Sequence, residues 1–172
     1  MKNLRADYFE FLELPRNLAI DLKDLEKRFY ALSRQLHPDL YARKSAAERE
    51  YALEASAVLN DAYRALKDPI SRALYLLKIE GFDIGEQGTK DVPQELLEEV
   101  FELNMALEED GPESVQGRFV EMREAVDSEL QRKFAAWDTA HQRDTLNEIR
   151  ALLNRRKYIT NLIDKTNVPD RV

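Results

Sequence analysis

The chain has 172 residues, 44% of them hydrophobic and 34% charged, with five Gly, six Pro and no Cys. That length supports one or two domains with a real core, and so little Gly and Pro excludes collagen-like or Gly/Pro-rich disordered chains. The absence of Cys excludes disulfides, thiolate catalysis and Cys-ligated zinc or iron–sulfur clusters, while a net charge of −7 disfavours general nucleic-acid binding.

The dominant periodicity is helical, and no segment alternates convincingly as a strand. Asp7 to Leu14 reads as a short helix closed by Pro15. Asp21 is the expected N-cap of the next helix, with Asp24 at the capping-box position and Ile20 and Leu25 placed as a hydrophobic staple. Leu25, Phe29, Leu32 and Leu36 then form one core-facing stripe. Pro38 pushes His37 out of the α region and ends that helix.

A polar loop through about Ser45 precedes a helix from Ala46 to Lys67, whose stripe is Tyr51, Ala55, Val58, Ala62 and Leu66 with Leu59 and Tyr63 beside it. Asp68-Pro69 pairs an N-cap with Pro at the first helical position, so a further helix starts at once and ends at Gly81. Residues 81–92 hold three of the five glycines and form the expected linker. Three longer helical patterns follow, at 93–110, 112–137 and 141–166, separated by Gly111-Pro112 and by the polar stretch Asp138 to Ala140. Short connections favour antiparallel neighbours. The expected architecture is all-α, with a compact helical part over 1–80, a linker over 81–92 and a three-helix bundle over 93–172.

The acidity is local. Residues 81–110 carry one Lys against ten Asp and Glu, whereas residues 1–45 carry nine Lys and Arg against seven acids. On a helical wheel, Lys23, Lys27 and Arg34 share the face opposite the core stripe of their helix, with Tyr30 close by. This basic face leads directly into His37-Pro38-Asp39, where a rigid proline separates two polar side chains at the tip of a helical hairpin.

These residues carry a family likeness. Residues 7–80, with DYFEFLELP, LEKRFYALSRQLHPD and LNDAYRALKDPISRALYLL, resemble a J domain. The continuation LLKIEGFDI into an acidic helical tail, with no Gly/Phe-rich or zinc region, is similar to the HscB-type co-chaperones of iron–sulfur cluster assembly, a family that includes the Jac-type proteins. The resemblance implies stimulation of ATP hydrolysis by a DnaK- or HscA-type chaperone. Its carry-over falls on His37, Pro38 and Asp39, with Lys27, Arg28 and Arg34 as the basic contacts. Many relatives have Lys after the tripeptide where this chain has Leu40, and Glu26 sets an acid beside the basic face.

Within 93–110, Leu96, Val100, Leu103 and Leu107 form one apolar stripe, and Leu97, Phe101 and Met105 form a second about 120° away. The first suits a bundle core. The second is either buried against another helix or exposed as a binding patch, with Glu98, Glu102 and Glu109 along its far edge. The resemblance favours a surface for an IscU-type scaffold protein on Leu97, Phe101, Met105, Glu98 and Glu102, helped by Tyr158 from the last helix. Tyr158 and Leu162 lie off the stripe formed by Ile149, Leu152, Ile159 and Ile163.

Other chemistry finds little support. His37, Asp39 and His141 have no metal-ligand spacing, and His141 is expected to open the last helix as a surface residue. No phosphate loop, Ser nucleophile motif or singled-out carboxylate pair is present. Arg155, Arg156 and Lys157 are expected to be solvated or to pair with the acidic helix. Trp137 and Phe134 are assigned to the bundle core, and Tyr8, Phe9, Leu12 and Tyr63 to the first core. The expected protein is a non-enzymatic co-chaperone without cofactor or metal, cytoplasmic, binding neither nucleic acid nor membrane. The alternatives are a J protein for a different client and a helical adaptor with a degenerate J domain.

Overall fold

The computed structural model describes residues 2–82 and 94–166, which form helices and connecting turns with no strand among them. The chain divides into two compact units, residues 1–82 and 83–172. The linker expected over 81–92 lies, beyond Phe82, outside the described residues.

The first unit contains α1 (Tyr8–Phe11), α2 (Leu22–Leu36), a 3-10 turn (Pro38–Tyr41), α3 (Ala46–Lys67) and α4 (Pro69–Ile79). Helix α3 is the hub, packing against α1, α2, α4 and the 3-10 turn. Two contacts set the antiparallel register of α2 on α3: Phe29 stacks on Tyr63 with ring centroids 4.3 Å apart, and Ser56 Oγ donates to the Leu36 carbonyl at 3.0 Å. The small residues Ala52, Ala55 and Ala62 are buried with Leu59 and Leu66, which lets neighbouring helices approach α3 closely. The core stripe of α3 is thus centred on Ala52 rather than Tyr51, which is half-buried and accepts the Lys2 N–H at 2.6 Å.

The first helix is shorter than the expected span from Asp7 to Leu14. Asp7 caps it, and Glu13 turns left-handed at φ 57°. The Leu14 N–H then donates to the Phe9 carbonyl and the Glu13 N–H to Glu10, the two bonds of a Schellman ending. Glu13 fills a position that glycine usually takes, and its carboxylate pairs with Lys2 at 2.5 Å, which lowers its pKa. The same ending recurs at Gly81 (φ 81°), where α4 stops as expected.

Each remaining boundary has a local cause. The Asp21 carboxylate accepts from the Lys23 and Asp24 N–H groups, whereas Asp24 turns to Arg28 instead of completing a capping box. Ser45 and Glu48 do form a reciprocal capping box on α3, and the Ser45 bonds depress the Glu48 pKa. Asp68 caps α4 through the Ser71 N–H at 2.7 Å. Arg72 is buried, donating to the Leu66 and Lys67 carbonyls at the end of α3 and to Leu18, so it fastens α4 under the preceding turn. Tyr75, its pKa raised by burial, accepts the Tyr8 N–H and stacks on the Tyr8 ring at 4.4 Å.

The second unit contains α5 (Gln94–Asp110), α6 (Pro112–Ala140) and α7 (Arg143–Thr166). Helix α6 packs against both of the others. Ion pairs fix an antiparallel register of α7 on α6, Lys133 with Glu148 at 2.6 Å and Arg156 with Asp127 at 2.5 Å. Phe119, Val126, Leu130, Phe134 and Trp137 of α6 are buried, as are Leu146, Ile149, Leu153 and Ile159 of α7.

Three expectations for this unit need correction. The stretch Asp138 to Ala140 is the last turn of α6, where the His141 N–H donates to the Trp137 carbonyl at 2.8 Å and Thr139 Oγ1 donates back to the Ala135 carbonyl at 2.8 Å. His141 therefore does not open the last helix. It caps α6 in a left-handed conformation (φ 50°) with its ring 4.9 Å from Trp137, and α7 begins at Arg143. Leu162, placed off the core stripe by the wheel, is buried, since packing against α6 covers a broader arc than one stripe.

Gly117 sits inside α6, and a Cβ there would meet nothing within 4 Å. No steric demand explains a residue that costs about 1 kcal/mol relative to Ala in a helix. Gly117→Ala is expected to stabilise the second unit by about that amount. A urea titration would show it as a higher midpoint at unchanged slope.

Candidate functional site

The tip of the first unit is built by the end of α2 and the 3-10 turn. Pro38 opens the turn at its first position, and His37 caps it, its Nδ1 accepting the Asp39 N–H at 3.3 Å. The Asp39 carboxylate stands 3.5 Å from the same Nδ1. Both side chains are exposed, and with Ser33, Arg34 and Leu40 they line one open concavity. Tyr41 anchors the turn by donating to the Gln35 carbonyl at 3.4 Å, and Ser56 holds the last carbonyl of α2 from the α3 side. The loop expected to be plainly polar is therefore an ordered turn.

Lys23, Lys27 and Arg34 are exposed on α2, and among the described residues no ion pair engages them. Tyr30 is exposed between them, its ring against Phe29 at 5.4 Å. Arg34 thus lies against the His-Pro-Asp turn, and Lys27 lies two turns further back on the same helix.

Arg28, expected among the basic contacts, is partly exposed and is also engaged within the unit. Its guanidinium folds inward, donating to the Glu13 carbonyl at 2.9 Å and the Leu12 carbonyl at 3.3 Å, with Nε on Asp24 at 2.8 Å. The wheel angle explains this, because Arg28 flanks the core stripe and reaches the carbonyls left open at the end of α1. Arg28→Met should destabilise the first unit by about 1 kcal/mol, the net value of a hydrogen bond or two. Thermal melting would register that loss, and an unchanged melting temperature would contradict it.

The second unit presents a different surface. On α5, Val100 is buried at 2% exposure, and Leu103 and Leu107 are half-buried, so these three pack inward, whereas the Leu96 side chain lies outside the described residues. Leu97, Phe101 and Met105 are exposed at 42%, 65% and 48%. The alternative left open by the sequence therefore falls to an exposed ridge. Gln94, Leu97, Glu98, Phe101 and Glu102 line an open groove along it, with the Gln94 amide on the Glu98 carboxylate at 2.9 Å. Glu99 points to α6 and pairs with Arg118 at 2.9 Å, whereas among the described residues no ion pair engages Glu98, Glu102 or Glu109. The exposed rim is thus uniformly acidic.

Tyr158 is half-buried on α7 and is not among the residues lining that groove. The basic run behaves differently from expectation: Arg156 pairs with Asp127 on α6 rather than with the acidic helix, because α7 faces α6 along its length. Neither surface assembles a nucleophile with a base, and among the described residues no three His, Asp or Glu side chains are grouped to hold a metal ion. Nor is any described helix long and apolar enough to cross a membrane. Leu40 and Ser33 are the residues that sequence reasoning left out of the first surface. The positions were visible, since Leu40 follows the tripeptide and Ser33 lies one turn before His37, but which way they faced was not.

One exposed surface is thus basic with a rigid polar tip, and the other is apolar with an acidic rim. Both units are similar to known families. Residues 7–75 match the DnaJ domain family, and residues 92–167 match the family described as the HSCB C-terminal oligomerisation domain. The chain is 30% identical over 159 residues to the iron–sulfur cluster co-chaperone protein HscB of Homo sapiens, covering 92% of this chain and 66% of that protein. It is equally identical over 160 residues to its Mus musculus counterpart, with 92% and 67% covered. The chain thus spans about two thirds of the length of these curated relatives. Among solved structures, that of human co-chaperone protein HscB superposes with a TM-score of 0.71 at 29% identity, covering 95% of this chain and 82% of that one. The chaperone HscB of Vibrio cholerae gives 0.58 at 27% identity, covering 93% and 99%.

Proposed function

We propose, from the premise that the chain belongs to the HscB family of J-domain co-chaperones, that it couples an ATP-driven chaperone to a scaffold protein in iron–sulfur cluster assembly. Its first unit docks on a DnaK- or HscA-type chaperone in the ATP-bound state and stimulates hydrolysis. His37, Pro38 and Asp39 make the tip contact, while Lys27 and Arg34, joined by Lys23, supply the electrostatic attraction. Arg28 contributes by holding α2 in place. The second unit carries the client, an IscU-type scaffold, on Leu97, Phe101 and Met105 within the rim of Glu98 and Glu102, and Tyr158 stands as a secondary contact on α7.

The observation that supports this reading best is the pairing of two unlike exposed surfaces on one chain. A rigid His-Pro-Asp turn that follows a helix with exposed cations stands on one unit, and an apolar ridge with exposed carboxylates stands on the other. Unlike charges keep each partner off the wrong surface, since like-charge approach is penalised. The chain acts by binding and regulates another protein's catalysis. The cytoplasmic location expected from the sequence belongs to the same reading.

Single-turnover ATP hydrolysis by the chaperone, with the chain and scaffold added separately and together, tests the coupling. The expected result is stimulation by the chain alone and a larger effect when chain and scaffold are both present. A chain that leaves the hydrolysis rate at its basal value would overturn the reading.

A further inference from the structure

The turn that carries His37 and Asp39 also holds out a bare leucine. Leu40 is 61% exposed. Its backbone is nevertheless fixed: the Leu40 N–H donates to the His37 carbonyl at 3.0 Å and the Ala42 N–H to the Asp39 carbonyl at 3.3 Å. A single exposed leucine is ordinary on a protein surface. Leu22 and Leu53 are comparably exposed, at 51% and 60%, and neither lines the concavity at the tip of the unit. Leu40 does, together with Ser33, Arg34, His37 and Asp39. Because the 3-10 turn already orders it, burying this side chain against a partner costs little further conformational entropy.

We propose that Leu40 is an apolar anchor of the chaperone-docking surface and selects a DnaK-type partner that offers an apolar spot, not a carboxylate, opposite the residue after the tripeptide. The proposal rests on the chaperone reading given above and deepens it by stating the chemistry of the partner surface. A lysine at this position would extend the cationic face of Lys27 and Arg34 onto the turn. With leucine there, the cationic attraction is confined to α2, and the residue after the tripeptide contributes by excluding water. The two contributions differ in their response to salt, since screening weakens exposed charge pairs and leaves apolar burial in place.

The test measures single-turnover ATP hydrolysis by the DnaK-type chaperone of the same organism, titrated with wild-type chain, Leu40→Ala, Leu40→Met, Leu40→Lys and His37→Gln at low and high ionic strength. Leu40→Ala should raise the half-saturating concentration about tenfold, equivalent to about 1.4 kcal/mol, and by the same factor at both ionic strengths. Leu40→Met should stay near wild type and Leu40→Lys should fall at least as far as the alanine variant. Melting temperatures should not move, because the side chain lies outside the core. Stimulation by Leu40→Lys equal to or better than wild type would overturn the anchor, as would an alanine titration superimposable on wild type, provided His37→Gln still abolishes stimulation. If His37→Gln also stimulates normally, the chaperone reading fails and the anchor with it.

Discussion

Substituting His37 by Gln is expected to abolish stimulation of the partner chaperone's ATPase while the circular dichroism spectrum and melting temperature stay as in the wild type. The loss should be at least about 2 kcal/mol of docking free energy, roughly 30-fold in half-saturating concentration or stimulated rate, as for a central hot-spot residue. Two structural facts separate this from unfolding. The imidazole is exposed, and its one hydrogen bond is local, from the Asp39 N–H to Nδ1. The fold of the unit rests elsewhere, on α3 and the buried Phe9, Phe11, Leu25, Leu59 and Leu76. Glutamine keeps a polar side chain but not the planar ring that caps the turn and faces Asp39 at 3.5 Å. Asp39→Asn should behave in the same way, since it keeps the shape of the turn and removes the charge. Full stimulation by both variants would sink the J-domain role.

The double substitution Leu97→Ala with Phe101→Ala should weaken scaffold binding by about 2 kcal/mol or more, read by calorimetry as at least a roughly 30-fold rise in Kd. The two side chains are 42% and 65% exposed, so little core packing is lost and the thermal transition should stay in place. Phe119→Ala supplies the contrast. That ring is fully buried in α6, and its removal should destabilise the unit by about 3 kcal/mol or more. Global unfolding of the Leu97/Phe101 variant would mean that the ridge belongs to a core. Unchanged affinity would mean that the client binds elsewhere.

Legibility varied with the range of the interaction involved. The end of α2 before His37-Pro38 and the Asp68-Pro69 start of α4 were readable because proline and capping chemistry act within three or four residues. The end of α1 was not. Its stop depends on Glu13 adopting a left-handed conformation, with Lys2 on its carboxylate and Arg28 on its carbonyl from 15 residues away. Polarity alone misled at Asp138 to Ala140, where a helix simply continued. At the candidate surfaces the residue types were visible in the chain, but Arg28 and Lys27 are adjacent in sequence and differ in exposure by which helix side faces the α1 carbonyls.

The sequence by itself determined the all-α class, the two helical parts, the His-Pro-Asp tip beside a basic helix face and the concentration of acid near α5. Those features depend on periodicity, turn chemistry and charge order, which are properties of neighbouring residues. Only the tertiary structure decided that Val100, Leu103 and Leu107 of α5 pack inward while Leu97, Phe101 and Met105 stay in water, and that Arg28 is engaged in holding α1. It likewise decided that Leu40 stands exposed on an ordered turn. A helical wheel gives the angle of each side chain but not the arc that a neighbouring helix covers, and that arc separates a core residue from a docking one.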